Sequence, residues 1–452
     1  MKIRSLFFLS ALVIGAVPPG APARTEQEAA DLVTLLRPDP VLWSLDGGAF
    51  MDQYRALGFR WAAEGTRDQA RVAHRSLRFD GLRVWEAWVN LNSEGVQALT
   101  LYLYNRGDAG DLSQPEFTGL LNTVDERLSR WCGSTATVIR APQEKRTASK
   151  RERKAWVQGP YRLDLVNSYS LSTRRSQNGT RFRAEYVRLT VTPFDLDDDP
   201  RKRPVVMRKP QGVLSAFALR ARVQRQENGD QVVSGIPMVD QGKKGYCAVA
   251  TAERLLRYFE REVDQHEMAQ EANTSATLGT DTRTLLRVLR SVCQDRGLKV
   301  KVLEELDGDD MLKLIEDYNR LAKKADKPRI HADRFTMMIG EIYSDMDADL
   351  LTAARAKRTG GLRRFKESVN QYVNGGVPLA WSVVVGVYSE DPKLPVRSGG
   401  HMRLIVGYNQ RTREILYSDS WGRGHELKRL PIDQAWAMTM GVYTVMPDNI
   451  RL

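Results

Sequence analysis

Between Asp195 and Pro210, four acidic residues, three prolines and a basic run leave neither the two-residue period of a strand nor the 3.6-residue period of a helix. No core can be built through such a stretch, so the chain must fold as separate bodies on either side of it. Its 452 residues agree, since roughly 150 residues per domain allow two or three and two fits this break. The boundaries read as 1–23 for a leader, 24–194 for a first domain of unknown role, 195–228 for a linker and 229–452 for a second domain. A composition 42% hydrophobic and 27% charged excludes general disorder. No repeat at solenoid or propeller periods is present.

Lys2 and Arg4, the apolar run Leu6 to Val17, a Pro/Gly break and Ala21-Pro-Ala23 have the pattern of a secretory signal peptide cleaved near Arg24. The apolar run is short of the ~20 residues that span a bilayer. The expectation is a protein without a transmembrane span, secreted or periplasmic/extracellular. Three cysteines in an exported chain are an odd number, which points to a free thiol or an intermolecular bond. Cys247 is the odd one out; Cys132 and Cys293 fall in different predicted domains, and two buried thiols are expected there. The net charge of +12 is spread over the chain and would draw it to anionic surfaces through a nonspecific term. No nucleic-acid-binding motif accompanies it, so no specific nucleic-acid partner is expected.

In the first domain, Val84 to Leu91 and Val96 to Tyr104 alternate around Asn92-Ser-Glu-Gly95 and predict a hairpin. Glu26 to Leu36 has helical spacing, Gln114 to Trp131 predicts a helix, and Lys154 to Asn167 and Phe182 to Pro193 predict strands joined across Gln177-Asn178-Gly179. This half is therefore α+β with an antiparallel sheet. In the second, Cys247 to Arg261, Thr280 to Arg296, Asp309 to Lys323 and Gly361 to Val373 read as helices. Pro378 to Val387, His401 to Tyr408 and Glu414 to Ser418 read as strands, so helices come first and strands last.

Chemistry concentrates in the second half. Cys247 closes Gln241-Gly-Lys-Lys-Gly-Tyr-Cys247 and opens a helix, whose positive end favours the thiolate that a cysteine nucleophile needs. Of five histidines, His401 stands behind Ser398-Gly-Gly400 at the start of an alternating strand, where a side chain can project into a cleft. The strand turns at Asn409 and returns through Ile415 to Ser418, bringing Asp419 back beside His401 to hold the imidazole by Nδ1. Gln241, six residues ahead of the nucleophile, offers an amide donor that would form an oxyanion hole with the Cys247 N–H.

These residues resemble the papain-like cysteine peptidases, from about Pro237 to Met446, and within them the C39-like branch. Four matches carry the resemblance: Gln241 and Cys247, at the family's glutamine-to-cysteine spacing, Gly400-His401 leading Leu404-Ile-Val-Gly-Tyr408, and Asp419-Ser-Trp-Gly422 in place of the papain Asn-Ser-Trp-Gly. It implies a papain-like α+β fold, with Cys247 as nucleophile, His401 as general acid/base, Asp419 as orienter, Gln241 as oxyanion donor and Trp421 as a shield over the orienting bond. Lys244, Tyr246 and Ala248 depart from the papain-type flank, and Asp419 stands where those enzymes carry Asn, in line with the C39 branch. The segment from Leu306 to Arg358 has no recognised counterpart and reads as an insertion.

The expected function is a secreted cysteine peptidase acting on a peptide or protein through a thioester, with no cofactor and no metal. An acyl transferase or amidase would use the same triad. A relic domain that binds peptides without turnover is the noncatalytic alternative.

Overall fold

The computed structural model describes residues 30–36, 41–63, 65–139, 149–176, 179–195, 214–261, 263–294, 296–332, 339–395 and 398–452. The predicted leader, the start of the Glu26 helix, the Gln177-Asn178 turn and 196–213 of the linker lie outside these residues. Both halves are α+β, and the chain separates into two units, one within Pro18–Pro210 and one that includes Gln211–Leu452. Among the described residues no helix is long and apolar enough to cross a membrane.

The first unit is built on an eight-stranded antiparallel sheet. Its predicted hairpin is Glu86–Asn92 with Gly95–Asn105, and the helix Gln114–Cys132 begins in a Ser113/Glu116 capping box that satisfies its first free N–H groups. Phe117, Val124 and Leu128 of this helix join the core formed with Leu99, Leu101, Leu189 and Val191 of the sheet. One strand departs from expectation. Lys154 to Asn167 is divided between two strands, Ser149–Gln158 and Tyr161–Ser176, because Gly159 takes a φ of +52° and Pro160 offers no N–H to a ladder. The first predicted helix, where described, is a single 3-10 turn, Leu32–Leu36.

The second unit carries the site. Its antiparallel sheet runs in the order Val223–Arg225, Asp230–Val233, Gly399–Asn409, Leu379–Val385, Thr439–Pro447, Leu298–Glu305, with Glu414–Ser418 paired to Gly399–Asn409 and to Lys428–Pro431. Helices first and strands last therefore needs correction. Leu298–Glu305 interrupts the helices and closes the sheet against the last strand, Thr439–Pro447, and two short strands precede Cys247.

Cys247–Tyr258 is buried on nearly every side because it is sandwiched: Val249, Ala252, Leu255 and Leu256 share a core with Leu285 and Leu289 of the helix Thr282–Gln294 and with Met402 and Leu404 of the sheet. A separate small core is formed by Met311, Leu314, Tyr318, Tyr343 and Leu351, with Val384 and Ala437.

The His401 strand has neighbours on both edges. Val383 pairs with His401 on one side, and Leu404 pairs with Ser418 on the other. The hairpin register thus leaves Asp419 one step past the last pair, on the edge that bears His401. Gly407 makes a third contact possible, since the carbonyl of Gln231 occupies the space that a Cβ there would take. Gly407→Ala should push the Asp230–Val233 strand off this edge and lower stability by about 1–3 kcal/mol. Urea unfolding checks this, and an unchanged midpoint would contradict it.

Candidate active site

Four segments meet at the nucleophile. Cys247 is the first residue of its helix, so its N–H has no acceptor within the helix and its sulfur lies at the positive end. Gly245, two residues earlier, donates to the Ala276 carbonyl at 2.6 Å, and a Cβ on it would come within 2.9 Å of the Gly279 nitrogen. The glycine is thus what lets the 275–279 turn close against the approach to Cys247. Tyr246 is buried, with its ring edge-on to His266 at 5.6 Å and the Lys244 ammonium 5.1 Å from its centre. Lys244 and Tyr246 are two of the three positions, with Ala248, at which the flank departs from papain-type enzymes.

His401 projects from the start of its strand and hydrogen-bonds the half-buried thiol of Cys247. Its Nε2 lies 2.9 Å from Asp419 Oδ1. Sequence reading assigned this bond to Nδ1; the strand presents the ring the other way round, so Asp419 takes Nε2 and Nδ1 is the nitrogen left for the sulfur. The imidazole is further fixed by Trp421, whose ring is stacked on it at 4.1 Å and 4° from parallel. The indole thus lies against the ring whose orienting bond the resemblance expects it to shield.

Gln241 is buried and held through both ends of its amide. Its Oε1 accepts from Ser420 Oγ at 2.7 Å, and its Nε2 donates to the Lys244 carbonyl at 3.0 Å. The Gln241 backbone N–H also donates to the Ser420 carbonyl at 2.8 Å. With the oxygen end committed to a donor, the amide nitrogen is oriented toward the loop that leads to Cys247, and one of its two N–H groups is taken by the Lys244 carbonyl.

Three consecutive residues thus serve three tasks: Asp419 holds His401, Ser420 holds Gln241, and Trp421 covers the imidazole. The role of Ser420 was missed in the sequence reading, although it lies inside the Asp419-Ser-Trp-Gly422 element. Arg254 was missed as well. It donates to the Pro237 and Asp419 carbonyls at 2.9 and 3.0 Å and to Ser418 Oγ at 2.6 Å.

The electrostatics favour an ion pair. Burial by itself would push the Cys247 thiol up, but the hydrogen bond and charge of His401, with backbone contacts from Met402 and Ala248, hold it below the ordinary thiol value. Burial would likewise lower the imidazole, and Asp419 and the thiolate outweigh it to raise His401. Asp419, despite burial, is kept far below the usual carboxylate range by Arg403, then by His401 and Lys428. The two shifts run toward each other, the direction that favours transfer of the thiol proton to the imidazole. Among the described residues no group of three or more His, Cys, Asp or Glu side chains could hold a metal ion.

Residues 306–446 match the model of the Peptidase_C39 like family. The match takes in His401 and Asp419, begins downstream of Gln241 and Cys247, and includes the segment from Leu306 to Arg358 that sequence reading set apart as an insertion. It gives the C-terminal part of the chain a cysteine peptidase-like domain, in keeping with the C39-like branch of the papain-like peptidases. A search of curated proteins gives no match.

The other two cysteines, Cys132 and Cys293, are free and buried, and burial pushes both thiols up to about 12. Iodoacetamide should therefore label Cys247 selectively in the folded protein, with an inflection below the ~8.5 of an ordinary thiol. His401→Ala should move that inflection upward by removing the cation that favours the thiolate. Peptide mass spectrometry across pH checks both; equal labelling of all three cysteines, or an unmoved inflection in His401→Ala, would rule out the pair.

Proposed function

We propose that the second unit hydrolyses peptide or amide bonds through Cys247, His401 and Asp419. The observation that carries this reading is the imidazole, bonded at Nε2 to a buried carboxylate, stacked flat on Trp421 and hydrogen-bonded to a thiol at a helix start.

The Cys247 thiolate attacks the carbonyl carbon, and the oxygen takes negative charge between the Cys247 N–H and the second N–H of Gln241 Nε2. The imidazolium of His401 gives its proton to the leaving amine, whose departure leaves a thioester on Cys247. His401, now neutral, takes a proton from water as that water attacks the thioester, and the thiolate returns with the acid product. Asp419 keeps its negative charge throughout and stabilises the imidazolium in both half-reactions. Export belongs to the same proposal and rests on the leader-like residues 1–23. The substrate is accordingly a peptide or protein outside the cytoplasm, or a cell-wall peptide.

Incubation with a peptide library tests the reading. Cleavage should be seen with the native chain and be lost in Cys247→Ala. Gln241→Ala should lower kcat by about 10²–10³ with a smaller effect on KM, as expected for a donor that acts on the transition state. Selective labelling of Cys247 without cleavage of any library member, but with transfer to an added amine, would replace hydrolysis by acyl transfer. Neither labelling nor turnover would leave a binding domain.

A further inference from the structure

Asp419 lies in a buried network of charge that the hydrolytic steps do not use. On the His401 strand, His401 Nε2 and Arg403 Nε lie 2.9 and 3.0 Å from the same oxygen, Oδ1. From the Lys428–Pro431 strand, the Lys428 ammonium is 3.8 Å from Oδ2. Arg403 and Lys428 share a second carboxylate, Glu390, at 3.2 and 3.0 Å, and the Tyr417 hydroxyl donates to it as well. Arg403 lies over the Tyr417 ring at 4.4 Å. The side chains of Arg403, Asp419, Glu390 and Lys428 are at most 1% exposed.

We propose that Arg403 is a positioning residue of the thiol site: pinned between Glu390 and the Tyr417 ring, it supplies the fixed positive charge that keeps Asp419 an anion able to hold His401 by Nε2–H. The inference rests on the thiolate reading of Cys247. A carboxylate this deep takes up a proton unless a cation compensates it, and a protonated Asp419 would be a poor partner for an imidazolium. Lys428 is the farther of the two cations, and its hydrogen bonds go to Glu390 and the Pro392 carbonyl. Arg403 Nε approaches Oδ1 closely but has no aligned hydrogen-bond acceptor. It therefore acts on Asp419 as a charge and leaves the directional bond at Oδ1 to His401.

The charges balance. Cys247, Asp419 and Glu390 as anions face His401, Arg403 and Lys428 as cations. Arg254, on the carbonyl side of Asp419, and Glu426 add one of each sign, and the imidazole of His425, whose carbonyl accepts from the Asp419 N–H, is pushed below its ordinary value by burial and then by Lys428. Removing one member should thus shift the thiolate in a direction set by the sign removed.

The test is the pH dependence of Cys247 alkylation by iodoacetamide in the full chain, with circular dichroism to confirm folding. Arg403→Met should move the inflection up by about one unit, a roughly tenfold loss of labelling on the acid limb. Arg403→Lys should restore most of it, and Glu390→Gln should move it down. Arg403→Met combined with Glu390→Gln should return it toward the native value, a result that lost packing alone would not produce. Should Arg403→Met fail to fold, the downward shift in Glu390→Gln and its reversal in the double variant carry the inference. Unmoved inflections in folded Arg403→Met and Glu390→Gln would overturn it while leaving Cys247 reactive. A native chain that is not labelled at Cys247 would instead sink the thiolate reading itself.

Discussion

Arg254 joins what the chain separates. It lies seven residues beyond Cys247, about two turns along the same helical face, and reaches at once the Pro237 carbonyl, the Asp419 carbonyl and the Ser418 hydroxyl. One side chain thereby ties the loop that leads to Gln241, the helix that begins at Cys247, and the strand end that delivers Asp419. Burial pushes its pKa down to about 10, so it remains cationic near neutrality and its donors stay filled. Each buried acceptor it satisfies would otherwise cost about 1–3 kcal/mol. The shared core sets helix against sheet, and this guanidinium adds the polar tie that fixes the strand end beside the start of the helix.

The presence of Asp419 where papain-type enzymes carry Asn follows the same physics. A neutral amide can hold an imidazole with no charge nearby. A carboxylate in a dry site cannot, and its use imposes a cation, which in turn needs an anion and a ring to hold it. Arg403, Glu390, Tyr417 and Lys428 are thus the surroundings that one extra negative charge requires, and they account for the many buried charges on this edge of the sheet.

Much of this was legible in the chain because the signals were local. A glycine-containing loop before an apolar-periodic helix marked Cys247 and Gln241, and an alternating strand with a short turn marked His401 and Asp419. The signals failed where partners are far apart or where polarity misleads. Strand alternation puts Arg403 on a polar face, yet its side chain is fully buried; nothing local says that Glu390 and Lys428 come to meet it. The Leu298–Glu305 strand finds its partner at the far end of the chain, and Gly159-Pro160 hides a reversal inside an apolar alternation that continues on both sides. Which imidazole nitrogen faces the carboxylate depends on the ring's rotation about its strand, which no spacing encodes.

The three free cysteines have a consequence for redox conditions. A thiol nucleophile must be kept reduced, and in a protein braced by disulfides the same reductant would loosen the fold. Here Cys132 and Cys293 are packed into separate hydrophobic cores as thiols, and no crosslink contributes to either. Reductant can thus regenerate an oxidised Cys247 without touching the scaffold. Of the three thiols only Cys247 is not fully buried, so thiol oxidation would fall on one sulfur while the packing of both cores stays independent of the potential around it.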